Sequence, residues 1–372
     1  MSNTEHLPSD NNKILLSIAA LSSIKGVGFK TITGLYDRNA LTDIWDLNQQ
    51  EIEKNVGDLT QKNCPQFAKI VTETKSQLLD HGMRELENLH EKGVIFVLKG
   101  TPEYPSSLLK LSTPPRWLFV KGKLSAVHAN GIVGIIGSRD ASHEGHRIAR
   151  ALAREMVTRN LVVLSGLAKG IDIEAHKGAV EYFGQTIGVL GHGFQATYGA
   201  SNNQLWPEII ERDGAVVTEY FLNDTASRET FLRRNEIQAA LSNVIIPVEC
   251  PDLSSGTGAT IRRALSINTP VTGVFWENLL QKELIKTRDN LKSLNVPVFL
   301  LPNQSNMFWD FIKSVTSAHD WSAVTPEDRQ KRFRRIYEEG IVEKLQHASF
   351  DGETIEEWSN TLKERLRKNQ NK

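Results

Sequence analysis

The chain has 372 residues, 40% of them hydrophobic and 24% charged, an ordinary mix for a soluble globular protein with two or three domains and a proper core. Lys plus Arg and Asp plus Glu both number 44, so global charge is silent about partners and any nucleic-acid site has to be a local basic patch. The isolated cysteines Cys64 and Cys250 argue against a disulfide framework or thiolate metal site, and no apolar stretch approaches the roughly 20 residues of a membrane span. The opening MSNTEHLPSDNNK also lacks a signal peptide's apolar region, so the expectation is a cytoplasmic protein.

Residues 1–12 are polar and read as a disordered tail. From Lys13, ILLSIAALSSIKGVGFKTITGLYD predicts an apolar helix, a Gly26-Val27-Gly28 turn and a second helix, and helical patterns continue to about Lys92. This region, 13–92, is expected to be a small helical domain whose turn either presents amides to a DNA phosphate or forms a tight helix corner. Residues 93–127 hold two strand-like runs around a proline-rich crossing and read as a connector that packs on the next domain. Then come IVGII (132–136), LVVL (161–164), TIGVL (186–190), AVVT (215–218), NVIIPV (243–248), PVTGVF (270–275) and VPVFLL (296–301), each leading into a small-residue loop and an amphipathic pattern. Such alternation predicts an α/β domain over 93–302 with a doubly wound, mostly parallel sheet. Residues 303–372 read as a charged helical extension. In it Phe333, Ile336, Tyr337, Ile341, Val342 and Leu345 form an apolar stripe, expected to bind a partner or a second copy or to pack on the same chain.

In a doubly wound sheet the ligand lies beyond the carboxyl ends of the strands. The loops there share a character: Gly137-Ser138-Arg139, Ser165-Gly166-Leu167-Ala168-Lys169-Gly170, Gly191-His192-Gly193 and Ser254-Ser255-Gly256-Thr257-Gly258. Small residues let backbone N–H groups approach an anion, hydroxyls add donors, and the helix N-termini beyond them add positive dipole. Arg139, Lys169, Arg228, Arg233 and Arg234 supply cations in or near these loops, and Phe231 a ring for a base to stack on. A dinucleotide cofactor would want G-x-G-x-x-G at the first turn and an acid after the second strand; the chain has G-I-I-G-S-R and Ser165, so no cofactor is expected. Asp172 and His176, spaced i, i+4, suit a metal less well than an N-cap and a packed core histidine; with His143, His146 and His192 they are assigned no ligand role.

GIIGSRDASHEG, LVVLSGLAKGIDIEAHKGAV, GQTIGVLGHGFQATYGASNNQLWPEI, FLRRNEIQAALSNVIIPVE and SSGTGATIRRAL, in this order, resemble the DNA-processing protein A family (DprA, also called Smf), and the resemblance spans roughly 13–275. It implies an extended Rossmann domain that binds single-stranded DNA without cutting it, helps load a recombinase during transformation and is often a dimer. Carried over residue by residue, it implies DNA or phosphate contacts from Gly137, Ser138 and Arg139; from Ser165, Gly166, Lys169 and Gly170; from Phe231, Arg234 and Asn235, with Arg228 upstream; and from Ser255, Gly256 and Thr257. Two departures stand out. Glu236 comes after the R-N pair where the family usually has a basic residue, bordering a DNA path or pairing with Arg233; and the last hundred residues do not read as a winged helix.

A specialised relative, an antitoxin with a toxin partner or a phage-defence component, is the first alternative, and a free-nucleotide sensor the next. The fold superfamily also includes nucleoside-monophosphate phosphoribohydrolases with P-G-G-x-G-T-x-x-E; here Thr260 stands in place of that glutamate, which removes the evident acid-base group.

Overall fold

The structure, a computed structural model, describes residues 9–60, 64–196, 205–278 and 281–316. The tail stripe from Phe333 to Leu345 therefore lies outside the described residues, as do residues 1–8. In chain order the elements are α1 (Ser9–Ser22), α2 (Phe29–Asp37), α3 (Gln49–Thr60), α4 (Cys64–Glu73), α5 (Lys75–Glu91), β1 (Val94–Leu98), β2 (Trp117–Gly122), β3 (Ile132–Gly137), α6 (His143–Val157), β4 (Val162–Ser165), α7 (Ile171–Glu181) and β5 (Thr186–Val189). Next are α8 (Trp206–Glu211), β6 (Ala215–Thr218), α9 (Arg228–Leu241), β7 (Val244–Glu249), α10 (Gly256–Ser266), β8 (Gly273–Trp276), α11 (Lys282–Ser293), β9 (Val298–Leu301) and α12 (Ser305–Thr316). Every apolar run singled out in the sequence is a strand, which makes this an α/β protein with mostly parallel sheet pairing. α1 starts at Ser9, so residues 9–12 of the stretch read as a disordered tail are helical.

The described chain divides into two compact units: one takes in residues up to Ala129 and Gln185–Leu241, the other Asn130–Gly184 and the chain from Ser242 on. In the first, strands run in the order β1-β2-β6-β5, with β1–β2 and β2–β6 antiparallel and β5–β6 parallel. The connector is thus part of a sheet, and its strand β2 is almost wholly buried. What fixes it is an aromatic core. Trp117 is fully buried, with Phe29 of α2 edge-on at 5.5 Å, and its indole N–H donates to the Glu219 carbonyl at 3.0 Å. Large aromatic areas of this kind dominate the burial energy and join the helical N-terminal segment to the strands.

In the second unit the order is β4-β3-β7, all parallel, with β8 and β9 a separate parallel pair. The register slips at the end of β3: Ile136 faces Pro247 but Gly137 faces Glu249, one extra residue on β7. A bulge at a strand end re-aims the loop beyond it. Behind α6 the buried pair Arg159–Glu155, 2.8 Å apart, is covered by Trp309 of α12, with the Arg159 guanidinium 3.8 Å from the ring centroid. A buried charge needs such enclosure, and cation–π attraction is strongest when desolvated. Trp309→Ala is therefore expected to lower unfolding free energy by about 3–5 kcal/mol in denaturant titrations; a loss under about 1 kcal/mol would mean that α12 is only loosely attached.

Candidate nucleic-acid interface

In the second unit the loops after β3 and β4 and the start of α10 are built around backbone groups. The Ser138 N–H donates to the Glu249 carbonyl at 2.8 Å, and the Ser138 carbonyl accepts from Ile171 N–H at 3.2 Å. Gly170 has φ +85°, and a Cβ there would lie 2.3 Å from the Ser138 oxygen and 2.7 Å from that of Arg139. Only glycine satisfies both the left-handed backbone and that approach. The N–H groups of Ala168, Lys169 and Gly170 make no hydrogen bond within the described chain. They precede α7, whose N-terminal dipole adds to them, an arrangement with the chemistry to receive an anion.

The hydroxyls of Ser165, Ser255 and Thr257 each also make a hydrogen bond within the protein. Ser165, fully buried, donates to the Ile135 carbonyl at 2.6 Å, and Thr257 donates to the Gly137 carbonyl at 2.9 Å. Ser255 N-caps α10, accepting from Gly258 N–H at 3.2 Å and donating to the Asp252 carbonyl at 2.6 Å. Ser165 thus joins β4 to β3, Ser255 closes its own loop, and Thr257 joins the start of α10 to the end of β3; Gly166 N–H goes to the Asp172 carboxylate at 3.1 Å. Asp172 is thus a loop fastener inside the first turn of α7, whose N-cap is Gly170. His176 is fully buried, and no group of three or more His, Cys, Asp or Glu among the described residues could hold a metal.

Arg139 and Lys169 are exposed, as is Gly256. The Lys169 ammonium lies 2.5 Å from the Asp140 carboxylate, which holds that carboxyl below its ordinary range by hydrogen bonding and charge. Both partners are well exposed, so the pair is screened and readily exchanged for another anion.

In the first unit α9 starts with a reciprocal cap: Ser227 N–H donates to the Thr230 hydroxyl at 2.8 Å and Thr230 N–H to the Ser227 hydroxyl at 3.1 Å. This arrangement has the logic of a capping box with Thr in place of Glu. Arg228 is exposed and Phe231 half-buried. A Cβ on Gly191 would sit 2.9 Å from the Phe231 ring, so the ring rests on the turn after β5. Arg233 and Arg234 differ from the sequence expectation. Arg233 is clamped by Glu219 at 2.8 Å and Glu236 at 2.9 Å, the second of the two roles foreseen for Glu236. Arg234 is 4% exposed, its guanidinium 5.7 Å from the Phe231 centroid, and Asn235 is buried beside it in sequence. Arg233 is half-buried and Arg234 buried, with the Arg234 guanidinium donating to the Val189 carbonyl at 3.5 Å. His192 is buried, with Nδ1 2.9 Å from the Gly193 carbonyl, and burial pushes its pKa down.

Two residues of weight are not evident from the sequence as functional. Glu249 is fully buried; its carboxylate accepts from Ser142 N–H at 3.1 Å and the Ser142 hydroxyl at 2.7 Å, while Ser142 caps α6. Glu219 holds Arg233. The available signal was an acid ending an otherwise apolar run, as in VIIPVE and AVVTE.

Gly170→Ala is expected to cost about 2–4 kcal/mol in chemical denaturation through backbone strain and collision with two carbonyl oxygens. For His192 the sign comes from its lowered pKa: the unfolded chain binds the proton more tightly. Stability is then fully present above about pH 6.5 and is lost as pH falls toward the folded value. Thermal melts between about pH 7 and 5 should show a shallower acid loss in His192→Gln than in the parent.

The sequence profile of the family described as DNA recombination-mediator protein A matches residues 95–288. The Synechocystis protein Smf is 30% identical over 267 residues, which are 68% of this chain and 62% of that protein, so the chain spans less than two thirds of this relative's length. Among solved structures, DNA processing protein A from Streptococcus pneumoniae superposes with a TM-score of 0.56 at 22% identity, covering 77% of this chain and 94% of the other. The DNA processing protein A of Helicobacter pylori, described for its single-stranded DNA binding mode, gives 0.52 at 24% identity, covering 61% and 97%. With that profile covering more than half of its residues, and with the same α/β architecture in the solved neighbours, the chain belongs to the DNA recombination-mediator protein A family.

Proposed function

We propose that the chain binds single-stranded DNA through its phosphate backbone and acts in DNA processing without covalent chemistry of its own. The observation that carries this is the turn before α7, with three uncommitted N–H groups at Ala168, Lys169 and Gly170, and the exposed Arg139 and Lys169 of the same unit. Backbone donors and adaptable cations recognise phosphate without reading base sequence. Arg228 and Phe231 of the first unit are proposed as a further cation and a stacking platform. Membership of the family and the single-stranded DNA binding of the Helicobacter pylori protein support the choice of ligand. Thr260, buried with its hydroxyl on the Gly256 carbonyl, offers no acid-base group, which favours binding over hydrolysis. Recombinase loading in transformation, homodimer formation and a cytoplasmic setting belong to the same proposal; two buried free cysteines are consistent with the last.

The test is titration with labelled oligonucleotides of several lengths against mononucleotide competitors. With Arg139, Lys169 and Arg228 as the accessible cations, log K against log salt is expected to have a slope near −2, at roughly −0.7 per contact. Arg139→Ala is expected to weaken binding by about 1–3 kcal/mol with little change in melting. A flat salt response overturns the phosphate reading, and a mononucleotide competing as well as an oligonucleotide turns it into a nucleotide sensor.

A further inference from the structure

Within the first unit, a cavity of about 210 Å³ lies between α1, α5, the strands β1 and β2 and the loop after β6. Its wall is aromatic: the Phe96 and Phe119 rings stack 4.7 Å apart at 14°, and Phe221 stands edge-on to Phe119 at 5.6 Å. Two carboxylates, Glu85 of α5 and Asp224 of the loop, line the same cavity, together with His81. Neither carboxylate forms an ion pair with any described residue, and no lysine or arginine lines the space. Asp224 is held in place, its carboxylate accepting from Phe221 N–H at 2.9 Å and its carbonyl from Gly193 N–H at 2.9 Å. Burial raises its pKa, because no cation offsets the lost hydration.

We propose that this cavity is a binding site for a small organic cation: an amidinium, guanidinium or ammonium carried on a flat or short apolar body. The apolar body lies against the phenylalanine wall, where ring faces attract a cation as well. The charged end meets Glu85 and Asp224 in charge-assisted hydrogen bonds, supplying the positive charge that the lining lacks. A volume below the roughly 300–1,000 Å³ of drug-sized sites restricts the occupant to about the size of a substituted benzene ring. The site is separate from the DNA-binding proposal and stands or falls without it.

Benzamidine and its uncharged analogue benzamide, titrated into the full chain by calorimetry, test the proposal. Benzamidine is expected to bind about tenfold more tightly than benzamide, and to raise the melting temperature with concentration as a ligand of the folded state does. In Glu85→Gln and Asp224→Asn that preference should fall toward unity. The Glu85 side chain makes no bond within the described chain, and asparagine at 224 keeps an acceptor for Phe221 N–H, so both variants are expected to melt like the parent without ligand. If Asp224→Asn does not, Glu85→Gln decides alone. Equal affinity for the two probes, no binding by either, or a preference undiminished in the folded variants would overturn the assignment.

Discussion

The buried Glu249 carboxylate is the constraint around which the second unit's loops are arranged. It forms no ion pair with a described residue, so its hydration has to be replaced by hydrogen bonds, and Ser142 supplies them from both backbone and side chain. An unsatisfied buried carboxylate is far costlier than an ordinary lost hydrogen bond. The loop from Gly137 to Ser142 therefore has little freedom. The same residue, through its carbonyl, holds Ser138 N–H. Its charge also lies at the N-terminus of α6, where the helix dipole favours an anion. One side chain thereby sets both the start of a helix and the path of the turn in front of it.

That rigidity explains a division of labour among the polar groups. Ser165, Ser255 and Thr257 donate their hydroxyls to carbonyls, which joins β4 to β3, closes the loop after β7 and joins the start of α10 to the end of β3. The turn before α7 keeps its amides open, and Arg139 and Lys169 remain in solvent. Fixed dipoles need no reorganisation on binding, whereas long cations adapt to a chain of variable shape. Such a combination is what the proposed binding of a repeating anion asks for.

Much of this was legible in the sequence because burial on both faces leaves a plain trace. The runs from IVGII to VPVFLL match β3 to β9, and the glycine- and serine-rich segments after them mark the loops. The hairpin of α1 and α2 was equally clear from its apolar spacing and its Gly26-Val27-Gly28 turn. What stayed hidden was the fate of individual polar groups. Arg233 and Arg234 are adjacent on α9, yet one is held by two carboxylates and the other lies beneath Phe231; the strand-end carboxylate among those partners, Glu219, stands outside the helix altogether. A hydroxyl next to a glycine reads as a ligand donor whether or not a carbonyl 2.6 Å away has claimed it. Glu249 looked like the polar end of a strand, and its role depends on a serine 107 positions earlier.

The chain passes back and forth between the two units, since each is assembled from separated segments that interleave in sequence. During synthesis β2 leaves the ribosome long before its neighbour β6, with β3, α6, β4 and α7 among the elements emerging in between. Its apolar edge has to wait unpaired, a state prone to aggregation. A fragment ending before β6 leaves that edge without its partner strand, so the unit to express is the continuous chain from β1 through β6 and not either half of it.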